Sequence, residues 1–318
     1  MSASRVGRAA LQAGKTPISG KGIKKPIDNP GKPLPKRANP HLINLKSNPP
    51  TPTHKMSPRT LTIFGVGALG ISTYCGFLYA SYRREVAQSQ TLSVPEDVSD
   101  RYNHTARTFD ADVALSEKLM RLGAKRRDLV RRARGDVLEV SCGTGRNLEY
   151  YELGAEKARG CRSVTFVDLS PQMVEITREK FRKLFPGFEN VAFRAEDAHA
   201  VTTGPPTPGG GAARRGCYDT VVQTMGVCSM PDPVGALRHL GSITEPRGGR
   251  ILLLEHGRSY YDWLNRILDN LAPAHADRHG CWWNRDIGAI VHESGLEVVE
   301  ERRWHFGTTW EYVLRPRG

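Results

Sequence analysis

Hydrophobic and polar positions divide this chain into three parts. The first 59 residues carry few large apolar side chains and hold ten of the 21 prolines. Such a segment buries too little surface to offset chain entropy, and it is predicted to be disordered. The pattern then inverts: residues 60–82, between Arg59 and Arg83, hold no charge at all. At about 1.5 Å per residue, a helix of that length crosses a hydrocarbon layer of roughly 30 Å. It lies too far from the N-terminus and runs too long for a cleavable secretory segment. One transmembrane helix over 60–82 is expected, so a lipid bilayer is the first partner. Tyr79 and Tyr82 beside Arg83 and Arg84 read as an interfacial anchor. Ala68, Ser72, Gly76 and Ala80 form a small-residue ridge on which a partner helix could pack, although small residues are common in membrane helices anyway. A polar linker over 83–100 precedes residues 101–318, one domain in size.

In that last part, short apolar runs at 136–140, 163–167, 190–194, 218–222 and 249–254 predict five strands. The first runs into Ser141-Cys142-Gly143-Thr144-Gly145, and Leu148 onward reads as a helix. After the second, Ser170 and Pro171 are a cap and a first helical residue.

Composition changes this picture in one respect. The net charge of +13 suggests nucleic acid, but twelve basic residues and a single acid (Asp28) fall within residues 1–59. The remainder is nearly neutral, which excludes a chain-wide basic groove and a nucleic-acid partner. A basic, acid-poor N-terminus before a membrane span reads as a mitochondrial presequence, the alternative being a plain basic cytosolic tail. With the positive flank held on the matrix side of the inner membrane, the domain would face the intermembrane space. Six cysteines without a C-x-x-C pair exclude a disulfide framework and zinc knuckles of usual spacing.

The candidate chemistry lies at strand ends. Glycines in the 141–145 loop let backbone approach a ligand. A dinucleotide fingerprint would need glycine where Leu148 stands, so no pyrophosphate cradle is indicated. Asp168, ending the second strand, can accept from both hydroxyls of a ribose. Asp197, after the third, is placed to meet an adenine amino group.

Together, Glu139…Cys142-Gly143-Thr144-Gly145, Asp168-Leu169-Ser170, Glu196-Asp197-Ala198, the run 223–229 and Pro246-Arg247-Gly248-Gly249 resemble class I S-adenosylmethionine-dependent methyltransferases, in the ubiquinone/menaquinone C-methyltransferase-like branch. The resemblance is closest to fungal mitochondrial inner-membrane methyltransferase-like proteins, and it covers residues from about 101 to 315. Ser141 departs from the family's usual glycine. The resemblance implies an α/β fold: a doubly wound, Rossmann-like sheet closed by an antiparallel strand from residues 298–313. It implies S-adenosyl-L-methionine as cofactor, with Glu139, Gly143, Thr144, Gly145 and Asn147 at its methionine end. Asp168 would hold the ribose, Leu169 and Met173 the adenine face, Asp197 and Ala198 its edge, and Gln223 would lie beneath the sulfonium.

Methyl transfer from a sulfonium needs alignment, a dry pocket and, for a protonated acceptor, a base. Glu255 and His256, ending the fifth strand, are the catalytic candidates, an ordinary loop histidine being the bland alternative. Tyr102 and Arg285 are assigned to a substrate lid. His275-x-x-x-His279-x-Cys281 invites a metal reading, but Pro273 and Gly280 make a sustained helix doubtful and no fourth ligand is evident, so no metal is assigned. Residues 202–211, rich in Gly and Pro, read as a flexible insertion. The expectation is a membrane-anchored methyltransferase of a small lipophilic acceptor. The alternative is a methyltransferase-fold assembly factor of the inner membrane with little or no catalysis.

Overall fold

The uncharged stretch lies inside a longer helix, α1 (Pro58–Ser89), in a computed structural model that describes residues 56–154, 160–202, 204–206 and 217–317. Most of the basic leader (1–55) and much of the 202–211 insertion lie outside the described residues. The chain divides into two units, 1–63 and 64–318. In the first, Ser57 starts α1: its Oγ accepts the N–H of Thr60 at 3.2 Å. The most apolar 18-residue window of α1 has a mean hydropathy of 1.6 and no buried side chain, so the helix is long and apolar enough to cross a membrane.

α1 continues past residue 82 because its last turns are docked on α7 (Asp262–His279). Asn270 donates to the Tyr82 hydroxyl at 2.9 Å, and Arg278 pairs with Glu85 at 3.2 Å. The expected break near Pro273 does not occur: α7 runs through it to Gly280, which ends the helix at φ 68°. Ala272 and Ala276 are buried on either side of the proline. The Ala274 N–H next to it is taken by the Ser89 hydroxyl of α1 at 3.2 Å.

Seven strands form one sheet: β1 (Gly135–Val140), β2 (Cys161–Asp168), β3 (Val191–Ala195), β4 (Thr220–Thr224), β5 (Arg250–His256), β6 (Glu297–Trp304) and β7 (Thr309–Arg315). Their order is β3-β2-β1-β4-β5-β7-β6, with β1 to β5 parallel and β7 antiparallel to both neighbours. This is the doubly wound sheet with a closing antiparallel strand. Strands β1, β2, β4 and β5 are nearly continuous in burial, as expected of strands covered on both faces. On one face Phe166, Phe181 and Phe193 pack with ring centroids 5.4–5.6 Å apart. On the other, Leu138, Leu240, Ile251 and Tyr312 belong to a second cluster.

The strand order reverses between β1 and β4, which opens a crevice at their carboxyl ends. One local expectation fails there. After the glycine loop the chain makes only a 3-10 turn, Leu148–Tyr150, and then extends at Tyr151. Tyr151 is drawn inward, donating to Glu139 at 2.5 Å, and Leu153 bridges to Cys161 beside β2.

Candidate active site

An open cleft with about 1050 Å3 of empty space occupies the crevice. The segment after α1 forms one wall, through Asp97, Ser99 and Tyr102. The loop after β1 and Asp168–Ser170 form the opposite wall. Met225, Gly226 and Ser229, after β4, close the back.

Asp168 organises the loop. Its Oδ2 accepts the N–H of Gly143 at 2.8 Å and its Oδ1 accepts that of Ser170 at 2.9 Å. Burial raises its pKa, and these two N–H groups oppose the rise. Thr177, on α5 (Pro171–Leu184), donates to the Gly143 carbonyl at 2.7 Å, while Ser170 caps α5 through the Met173 N–H at 3.3 Å. Ser141 takes a left-handed φ of 51°, the conformation that glycine would adopt without strain. The facing residue, Gly226, makes room for it: a Cβ at 226 would stand 2.5 Å from the Ser141 Cβ.

A polar network clamps the loop from outside. Asp110, on α3 (Phe109–Leu119), accepts from the Thr144 hydroxyl at 2.6 Å, from Arg146 at 3.0 Å and from Lys180 at 2.5 Å. Arg126, on α4 (Leu122–Val130), is only 5% exposed. It lines the cleft and donates to Thr224 at 2.6 Å, Asn147 at 3.2 Å and Glu117 at 3.1 Å, while its buried Nε has no protein partner.

Of the residues singled out in the sequence, Gly143, Thr144, Asn147, Asp168, Leu169, Met173, Asp197 and Ala198 line the cleft. Asp197 accepts from the His199 N–H at 2.9 Å; burial would raise its pKa, but the hydrogen bonds from His199 lower it. Glu139, Gly145, Gln223, Glu255 and His256 stand outside the lining. Glu139 lies under the loop, accepting from Asn147 at 3.0 Å as well as from Tyr151, and burial pushes its pKa up to about 7. Gly145 is needed for space, since a Cβ there would meet the Leu148 side chain at 2.7 Å. Gln223 is fully buried and donates to the Val140 carbonyl at 3.0 Å. Glu255 accepts the N–H groups of Gly226 (3.0 Å) and Val227 (3.3 Å) behind the back wall. The Nε2 of His256 lies 2.6 Å from the Cys281 sulfur. Of the two lid residues, Tyr102 lines the cleft and donates to Ser229 at 2.9 Å; Arg285 does not line it.

Sequence reasoning passed over Arg126 and Asp110. Arg126 sits in the basic run 125–134 and looks like a solvated charge. Its helical spacing from Leu122, Leu129 and Val130 places it on the buried face of α4, and that was the available signal.

A methyltransferase-domain family model matches residues 102–301, well over half of the chain. The chain belongs to the methyltransferase-domain family. It is 42% identical over 253 residues to "Methyltransferase OMS1, mitochondrial" of Saccharomyces cerevisiae, a match covering 78% of this chain and 52% of the yeast protein. The chain therefore spans about half the length of that relative. It is also 27% identical over 190 residues to human "Thiol S-methyltransferase TMT1A", covering 57% of this chain and 67% of the human protein. An O-methyltransferase family protein from Burkholderia thailandensis shares the fold at a TM-score of 0.52 and 15% identity, over 76% of this chain and 70% of that one.

S-adenosyl-L-methionine is the methyl donor of this methyltransferase fold. The cleft suits it on three counts. A carboxylate (Asp168) ends β2, an apolar slot lies between Leu169, Met173 and Ala198, and a buried guanidinium nitrogen of Arg126 is unpaired.

Proposed function

We propose that this methyltransferase is anchored in the mitochondrial inner membrane through α1 and methylates a small, lipophilic acceptor, with its domain facing the intermembrane space. The observation that carries the reading is continuity. The chain leaves α1 at Ser89 and within a few residues supplies Asp97, Ser99 and Tyr102 to the cleft wall. The Trp282 indole holds that segment by donating to the Glu96 carbonyl at 3.1 Å, and Arg101 pairs with Asp277 of α7 at 3.0 Å. A cleft wall that begins eight residues after the end of the membrane helix would keep the entrance near the lipid.

Within the cleft, Asp168 would hold the ribose hydroxyls, Leu169 and Met173 the adenine face, and Asp197 and Ala198 its edge. Gly143, Thr144 and Asn147 would follow the methionine portion, with the Arg126 Nε on its carboxylate. The donor supplies the methyl group and its own leaving group, so the protein's work is alignment and exclusion of water. Glu139, Gly145 and Gln223 support the cleft from the layer beneath. Glu255 holds the Gly226–Val227 turn of the back wall by its two backbone hydrogen bonds.

The test is methyl transfer from labelled S-adenosylmethionine by the full chain in lipid nanodiscs, offered a mitochondrial extract split into organic and aqueous fractions. Label in an organic-phase product supports the reading; label confined to water-soluble products overturns it. Lipophilic thiols belong in the first defined panel, given the name of the human relative.

A further inference from the structure

Cys228, His256 and Cys281 meet behind the back wall of the cleft, each from a different part of the fold. Cys228 lies in the 3-10 turn Val227–Ser229 after β4, His256 ends β5, and Cys281 follows α7. Their two sulfurs and one ring nitrogen all lie within 4.8 Å of one another. Cys228 is 1% exposed and Cys281 4%. We propose that these three side chains bind a zinc ion, with the fourth position taken by water.

The donor set selects the metal class. Two thiolates and an imidazole suit a tetrahedral, borderline-soft cation, and three protein ligands leave one coordination position open. Zinc bonds of about 2.0–2.3 Å place neighbouring ligand atoms roughly 3.5–3.8 Å apart. All three atoms lie within 4.8 Å of one another, and the His256 Nε2–Cys281 Sγ pair, 2.6 Å apart without the ion, opens by about 1 Å to admit it. Charge balances as well. Two thiols release their protons to solvent, the imidazole binds through a neutral Nε2, and one Zn2+ with two thiolates is neutral, as a buried cluster requires.

The ligands are held in place by their surroundings. The Trp282 N–H donates to the Cys228 carbonyl at 3.1 Å, which fastens the two cysteine segments together. The Ser229 hydroxyl lies 3.6 Å from the Cys228 sulfur and donates to the Gly280 carbonyl at 2.5 Å. That same hydroxyl accepts from Tyr102 of the cleft wall. The metal would therefore brace the wall formed by Tyr102 and Ser229, and His256 would be a ligand rather than a proton carrier. Of the His275-x-x-x-His279-x-Cys281 motif, for which the sequence assigned no metal, only Cys281 joins the cluster. In the structure His275 stacks on Trp283 with ring centroids 3.9 Å apart, and neither histidine joins the cluster.

The test uses the full chain, purified in detergent without chelator from zinc-supplemented cells. About one zinc per chain is expected by elemental analysis. Cys228→Ser and Cys281→Ser should each lower the content at least about five-fold, while Cys75→Ser and Cys161→Ser should leave it unchanged. Because the first two variants could unfold, two further measurements keep the proposal exposed. His256→Cys should retain the metal with three thiolates. Cobalt-exchanged wild type should show a thiolate-to-cobalt charge-transfer band and the strong visible bands of a tetrahedral site. A folded wild-type protein without metal, a metal-free Cys228–Cys281 disulfide found by peptide mass spectrometry, or iron or copper in place of zinc would each overturn the assignment.

Discussion

Asp168 accepts the N–H of Gly143 through Oδ2 at 2.8 Å, so the acid that ends β2 is locked to the glycine loop that follows β1. The residue proposed to grip the ribose is also the residue that shapes the loop beside it. Loss of this carboxylate removes a ligand contact and frees two backbone donors at once, Gly143 and Ser170. Cofactor affinity should therefore be more sensitive to Asp168 than to any apolar lining residue.

Arg126 carries the second prediction. Replacing it by Lys keeps the charge but loses the fork that reaches Thr224, Asn147 and Glu117. We expect about ten-fold weaker binding of S-adenosylhomocysteine by calorimetry, together with a lower melting temperature. Unchanged affinity would detach Arg126 from the methionine carboxylate.

The pair Ser141 and Gly226 should behave as a coupled unit. Gly226→Ala pushes a Cβ to within 2.5 Å of the Ser141 Cβ and 2.3 Å of the end of the Gln223 side-chain amide, and should destabilise by about 1–3 kcal/mol. Ser141→Gly relieves a left-handed φ and should stabilise by about 1 kcal/mol. In the double variant the Ser141 clash is gone and part of the loss should be recovered; denaturant melts of the four proteins measure the coupling.

Glu139 sets a pH dependence. Its folded pKa of about 7 lies above the ordinary 4.5 because the carboxyl is buried. The folded state thus keeps a proton that the unfolded chain has lost, so the contribution is complete below 4.5 and disappears as pH rises through about 7. The full effect is roughly 3 kcal/mol. Wild type should lose more stability than Glu139→Gln between about pH 5 and about pH 8 in thermal melts. Parallel curves would show that Glu139 is ionised in the fold.

What the sequence disclosed follows from locality. The strand ends at Asp168 and Asp197, the cap at Ser170 and the uncharged span are written in a few adjacent residues each. The strand–loop alternation then places Gly143 and Asp168 in one crevice. The failures are all non-local. Leu148 suggested a helix, but Tyr151 is pulled inward by Glu139, and the strand partner at Cys161 takes over. Pro273 suggested a break, but Ser89, from a helix far back in the chain, accepts the displaced Ala274 N–H. Arg126 looked like one charge in a basic run because the groups that bury it, Glu117, Asn147 and Thr224, belong to three other segments. Cys228, His256 and Cys281 share no spacing that a motif could record.

The most direct test of the central claim is calorimetric titration of the detergent-solubilised full chain with S-adenosyl-L-methionine, wild type beside Asp168→Ala. Saturable binding at one site per chain, abolished in folded Asp168→Ala, is the predicted result. No binding by wild type, or equal binding by the variant, would contradict the account.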